Sequence, residues 1–187
     1  MNAKNPAISV RDMVLTALFT AVLCVVAPFS ISIGPIPLSF ATLVIYLAAG
    51  SLGIKYGTLS VLLYVALGAI GIPVFSNFEG GFHKVIGVTG GYIVGYIPLA
   101  LAVGVCVQFF KEKLLGYVLG MVIGTVLLYT LGTIWFMLQT GLSLGASLML
   151  CVVPFLIGDC AKIIVACILA PQFRTALRRM SREPIER

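Results

Sequence analysis

An aspartate and a lysine, Asp159 and Lys162, stand in an otherwise uncharged stretch that runs from Leu114 to Phe173. A spacing of three puts both side chains on one face of a helix. At mid-membrane each would cost roughly 2.5–3.5 kcal/mol, so such residues turn toward a cavity or a partner rather than toward lipid. Two readings follow: a structural ion pair that knits helices together, or a polar floor for a ligand. As a floor, a carboxylate accepts and an ammonium donates, which suits a group with adjacent N–H donors and a carbonyl acceptor. A cyclic urea is such a group. Pro154 and Gly158 lie just upstream and fit a helix that starts or loosens there, freeing backbone groups near the pair.

A second cluster runs from Pro73 to Tyr92. It combines the aromatics Phe75, Phe78, Phe82 and Tyr92 with several glycines, His83, Glu79 and Lys84. Glycine permits left-handed turns and close backbone approach, and the aromatics are suited to closing over an apolar ring system. The stretch reads either as a connecting loop or as a lid; its length and composition favour a lid. His83 is either a solvated loop residue or a ligand contact. A third signal, Ala17-Leu18-Phe19-Thr20-Ala21, leaves two alanines four apart, a flat strip where another helix can approach. Gly91 and Gly95, and Gly116, Gly120 and Gly124, repeat at the same spacing and read as helix packing. Trp135 is either an interfacial anchor or a stacking surface.

These groups need a scaffold, and composition says which kind. Of 187 residues, 60% are hydrophobic and 10% charged, and the mean hydropathy is +1.14. Soluble domains carry about a quarter charged residues, so a soluble enzyme is excluded. The apolar runs are continuous rather than alternating, which argues against a β-barrel. With roughly 20 residues needed per span, they divide into six helices, at about Met13–Ala27, Leu38–Gly53, Tyr56–Gly71, Gly90–Phe110, Leu114–Leu138 and Ala146–Ala170. The expectation is an all-α integral membrane protein, a single bundle spanning residues 1–187, with a basic tail over about 171–187. Placing both termini in the cytoplasm puts Lys4, Arg11, Lys55, Lys111, Lys113, Arg174, Arg178, Arg179, Arg182 and Arg187 inside. Only Lys84 is then outside, as the positive-inside rule requires. The net charge of +6 is thereby an orientation signal and not a nucleic-acid footprint.

Several chemistries are missing from the sequence. There is no phosphate-binding Gly-x-x-x-x-Gly-Lys motif and no zinc-protease pair. The cysteines Cys24, Cys106, Cys151, Cys160 and Cys167 have no metal-ligand spacing and read as small apolar residues. No cluster of carboxylates is available for ion coupling. Uphill movement of a solute would therefore draw its energy from a partner.

Together these segments resemble the BioY family, the biotin-specific substrate-binding subunits (S components) of energy-coupling factor transporters. The likeness extends from Thr16 to Ala170. It rests on Gly34-Pro35-Ile36-Pro37, Leu52-Gly53-Ile54-Lys55-Tyr56-Gly57, Leu67-Gly68-Ala69-Ile70-Gly71-Ile72-Pro73-Val74-Phe75, Thr89-Gly90-Gly91-Tyr92 and Gly158-Asp159-x-x-Lys162. The resemblance implies biotin capture outside a prokaryotic cell by a multi-pass plasma-membrane subunit. It also implies delivery to a transmembrane T subunit with two ATPase subunits, and no cofactor. Ala17 and Ala21 match the family's docking motif, and Asp159 and Lys162 the residues that meet the ureido ring. Where many relatives have a Gly-Arg-Gly-Gly lid, this chain has Phe78-Glu79-Gly80-Gly81, which leaves Lys84, helped by Asn77 and His83, for the biotin carboxylate. Phe82, Gly91 and Tyr92 complete the expected substrate contacts. A sister S component for another vitamin and, in a different class, a membrane enzyme or structural bundle are the alternatives.

Overall fold

The computed structural model describes residues 9–32 and 35–180. Lys4, Gly34, Arg182 and Arg187 lie outside the described residues. Helix α1 (Val10–Val26) turns Thr16, Thr20 and Leu23 inward. The Thr20 hydroxyl sits 2.9 Å from the Thr16 carbonyl and 3.2 Å from that of Ser60, so it needs no water in an apolar setting. The chain then forms a hairpin of β1 (Ser30–Ser32) and β2 (Pro37–Ser39), antiparallel with Ile31 opposite Leu38. The prolines at 35 and 37 mark this reversal, but the strands themselves are not evident in so short a segment. Leu38, expected to open a helix, is in β2.

Helix α2 (Ala41–Ala69) covers both spans expected between Leu38 and Gly71, and it is folded back on itself at Gly53. Gly53 has φ +80° and ψ −171°, a conformation open essentially only to glycine. The reversal is visible eight residues apart: a Cβ on Gly57 would lie 2.5 Å from the Ala49 Cα. In a continuous helix those residues would be about 12 Å apart. The α3 turn (Phe82–Ile86) follows, then α4 (Gly90–Phe109) and α5 (Leu114–Thr140).

Helices α4 and α5 pack through the glycines singled out by spacing. A Cβ on Gly120 would come within 2.9 Å of the Val103 Cα, and one on Gly116 within 2.9 Å of the Cys106 carbonyl. The expected last helix, Ala146–Ala170, is instead α6 (Leu144–Cys151), a tight turn at Val153–Phe155, and α7 (Leu156–Met180). Pro154 in that turn lacks an N–H and ends the first piece. Beyond Ala170, the expected tail stays helical to Met180, because Ala, Leu and Arg there are good helix formers. Four helical stretches among the described residues are long and apolar enough to cross a membrane: Ala41–Ala69, Gly90–Phe109, Leu114–Thr140 and Leu144–Met180.

Candidate ligand site

A buried pair of opposite charges stands on α7. Asp159 and Lys162 are 5% and 8% exposed, and the Lys162 Nζ donates to the Asp159 Oδ1 at 2.8 Å. Lys162 also donates to the Ser39 carbonyl at 2.7 Å and to the Thr42 hydroxyl at 3.1 Å. Its three N–H groups are thus all engaged. The Tyr129 hydroxyl of α5 donates to the Asp159 Oδ2 at 2.5 Å. The ammonium therefore clamps the hairpin and α2 to α7, while the carboxylate, held by two donors, keeps lone pairs for further N–H groups. This refines the sequence reading: both halves of the pair are buried together, but Lys162 spends its hydrogens on protein.

Asp159 and Lys162 line a small pocket of about 40 Å³ with Ser39, Thr42, Tyr129 and Phe155. Directly above lies a cavity of about 330 Å³. Ile36, Pro37, Tyr92 and Tyr96 line both spaces and form the partition between them. Tyr92 is fixed by Gly132, where a Cβ would stand 2.4 Å from its ring, and its hydroxyl donates to the Cys151 carbonyl at 3.2 Å. Tyr64 meets Phe75 edge to face at 5.7 Å and Tyr96 at 6.4 Å. The Phe75 ring in turn occupies the space over Gly68.

The mouth is built by the Pro73–Tyr92 segment. Asn77, in a left-handed conformation at φ 61°, is tied to the hairpin by the Ser30 hydroxyl, which donates to its Oδ1 at 2.9 Å. Lys84 pairs with Glu79 at 2.5 Å, and both line the cavity together with Asn77, His83 and Thr89. The segment is anchored to α5 by Trp135, whose Nε1 donates to the Gly87 carbonyl at 2.8 Å, and by Gln139, whose Nε2 donates to the Ile86 carbonyl at 3.0 Å.

Not every expected contact arrives at this cavity. Asn77, Lys84 and Tyr92 line it, and Asp159 and Lys162 line the pocket below. Phe82 does not; it is 64% exposed on the outer surface. Gly91 does not either, because it faces α5, where a Cβ would meet the Trp135 Cβ at 2.3 Å. Phe78 is exposed and meets Phe29 edge to face at 5.3 Å. The aromatic wall is instead Tyr64, Phe75, Tyr92 and Tyr96. The four-residue spacing of Tyr92 and Tyr96 was the one local signal for it. Tyr129, Ser39 and Thr42 had none. Ala17 and Ala21 do not line the cavity and are on the exposed face of α1.

Comparison with known proteins agrees with this architecture. The family model described as the BioY family matches residues 1–179. The biotin transporter BioY of Thermotoga maritima is 38% identical over 161 residues, covering 86% of this chain and 94% of that protein. The probable biotin transporter BioY of Pyrococcus horikoshii is 36% identical over 164 residues, covering 88% and 96%. Among solved structures, the S-component for biotin from an ECF-type ABC transporter superposes with a TM-score of 0.82 at 28% identity, covering 90% of this chain and 95% of that one. The family match over residues 1–179, with relatives at 36–38% identity along most of the chain, shows that the chain belongs to the BioY family.

Proposed function

We propose that this chain is the biotin-binding membrane subunit of an energy-coupling factor transporter. The observation that carries the reading is the buried Asp159, held by Lys162 and Tyr129 in a small pocket that shares its wall with an aromatic-lined cavity. A cavity of about 330 Å³ falls at the lower end of the roughly 300–1,000 Å³ typical of small-molecule sites. In this reading the ureido N–H groups of biotin reach down between Tyr92 and Tyr96 to Asp159. The bicyclic ring rests among Tyr64, Phe75 and Tyr96, and the carboxylate stays at the mouth near Lys84, Asn77 and His83. Biotin is the cargo, and the chain is a binding subunit rather than an enzyme.

The finer topology belongs to the same proposal. Folding of α2 at Gly53 makes two passes of it; α1, α4, α5 and the α6–α7 unit supply the others, giving six. Both termini are then cytoplasmic in a prokaryotic plasma membrane, with the lid outside. A transmembrane T subunit would dock on the Ala17–Ala21 strip, and two ATPase subunits would supply the energy. Equilibrium binding of labelled biotin to the purified chain, without ATP, tests the reading. Saturable binding competed by unlabelled biotin and not by thiamine or riboflavin is expected. Equal competition by another vitamin would move the chain to a sister specificity.

A further inference from the structure

The opposite end of the bundle holds a second polar hollow. Along α7, Arg174 lies roughly 22 Å from Asp159, and its Nη1 donates to the Gly50 carbonyl at 3.0 Å, close to the fold at Gly53. Beside it is a cavity of about 300 Å³ lined by Glu112, Tyr117, Arg174, Arg178 and Arg179, among others. Lys111 and Glu112 are both left-handed, at φ 51° and 64°, and this turn carries the Glu112 carboxylate onto the arginines. Glu112 receives Arg174 at 2.9 Å and both terminal nitrogens of Arg178 at 2.6 and 2.7 Å. One carboxylate therefore meets two guanidinium groups, and with Arg179 also in the lining a surplus of positive charge remains.

The donors around this hollow are also incompletely used. Tyr117 is fully buried, and its hydroxyl lies beside the Arg174 guanidinium, which can only donate, so the phenol proton has no acceptor. The Arg174 Nε is likewise buried with no acceptor. Buried donors left without acceptors are costly and uncommon in native folds. An anion with several oxygens would satisfy them. The surroundings say where such an anion would come from. Phe109, Leu114, Leu115 and Phe173, next to these residues in the chain, are 78%, 62%, 55% and 43% exposed, as befits side chains facing acyl chains. In the six-pass topology proposed above, on which this inference rests, the hollow lies where that apolar belt meets the basic end of the bundle, at the depth of a lipid headgroup.

We propose that this hollow binds the phosphate of an anionic membrane lipid, with Tyr117, the Arg174 Nε and Arg179 as donors and Glu112 as the internal counter-ion that keeps the arginines in place. The test uses the full chain in detergent, followed by thermal unfolding and by native mass spectrometry. Phosphatidylglycerol, phosphatidylcholine and inorganic phosphate are added separately to the wild type, Tyr117→Phe and Arg179→Gln. Phosphatidylglycerol is expected to raise Tm by several degrees and to remain bound in the wild type. Each variant is expected to fold and bind biotin as before while losing most of that response. An equal response to inorganic phosphate alone would overturn the lipid assignment in favour of a free anion. An equal response to phosphatidylcholine, or one undiminished in both variants, would overturn the site. So would the absence of any lipid response; masking of Arg179→Cys from a thiol reagent only in the assembled transporter would then indicate a protein segment.

Discussion

The Lys162 ammonium donates to the Ser39 carbonyl at 2.7 Å, across 123 residues of sequence. That bond fastens the hairpin, which lines both the cavity and the pocket below it, to α7, and Asp159 pairs with the same ammonium at 2.8 Å. Removing one member leaves the other buried and unpaired, at a cost of about 3–5 kcal/mol. Lys162→Met should therefore lower stability sharply in a detergent unfolding assay. Asp159→Asn combined with Lys162→Met should recover much of the stability without recovering biotin binding. Restored binding in the double variant would make the pair purely structural.

Retention of the ligand should depend on how the lid is anchored. Trp135→Phe keeps the ring over Gly91 but deletes the donor to the Gly87 carbonyl. A neutral hydrogen bond contributes about 1 kcal/mol net, or about fivefold. Most of that should appear as faster dissociation, measured by chase of bound labelled biotin with unlabelled biotin. An unchanged off-rate would mean that the lid closes without this anchor.

At the mouth, Lys84 is engaged by Glu79 rather than free for a carboxylate. Both side chains are partly exposed, so the pair is worth at most about 1 kcal/mol. Glu79→Gln should release Lys84 and tighten biotin by up to that amount. Lys84→Gln should weaken biotin similarly, and both effects should shrink at high salt. Biotin methyl ester, which has no carboxylate, should be indifferent to both substitutions. Equal responses of acid and ester in titration calorimetry would remove Lys84 from the tail site.

Ala17 and Ala21 lie on the exposed side of α1, while Thr16, Thr20 and Leu23 take the inward side. Ala17→Trp or Ala21→Trp should leave biotin binding intact and abolish ATP-driven uptake in cells that also express the T and ATPase subunits. Loss of binding and uptake together in a folded variant would connect α1 to the cavity.

What could be read from the sequence follows from the range of the interactions involved. Asp159 and Lys162 stood out because charge is costly in an apolar stretch and a spacing of three joins them on one face. Their partners Tyr129, Ser39 and Thr42 lie 30, 123 and 120 residues away from the atoms they bond, and no local pattern records such meetings. The glycine repeats of α4 and α5 were legible because close packing leaves a four-residue period. Loop composition identified the lid segment but not which of its faces turns inward, hence Phe82 and Gly91 fall outside the cavity while Phe75 falls inside. The fold at Gly53 was marked by Lys55 interrupting the apolar run. The break at Pro154 was legible as a loosening, but not as two separate helices.

Binding through Asp159 is best tested by pairing a change in the protein with a change in the ligand. Biotin and an analogue methylated on one ureido nitrogen would be titrated against the wild type and Asp159→Asn. A hydrogen bond to a charged acceptor is worth about 1.5–3 kcal/mol, so the wild type should prefer biotin by roughly tenfold to a hundredfold. Asp159→Asn should bind biotin more weakly and lose most of that preference. If Asp159→Asn discriminates between the two ligands as strongly as the wild type does, the ureido ring is not held by Asp159.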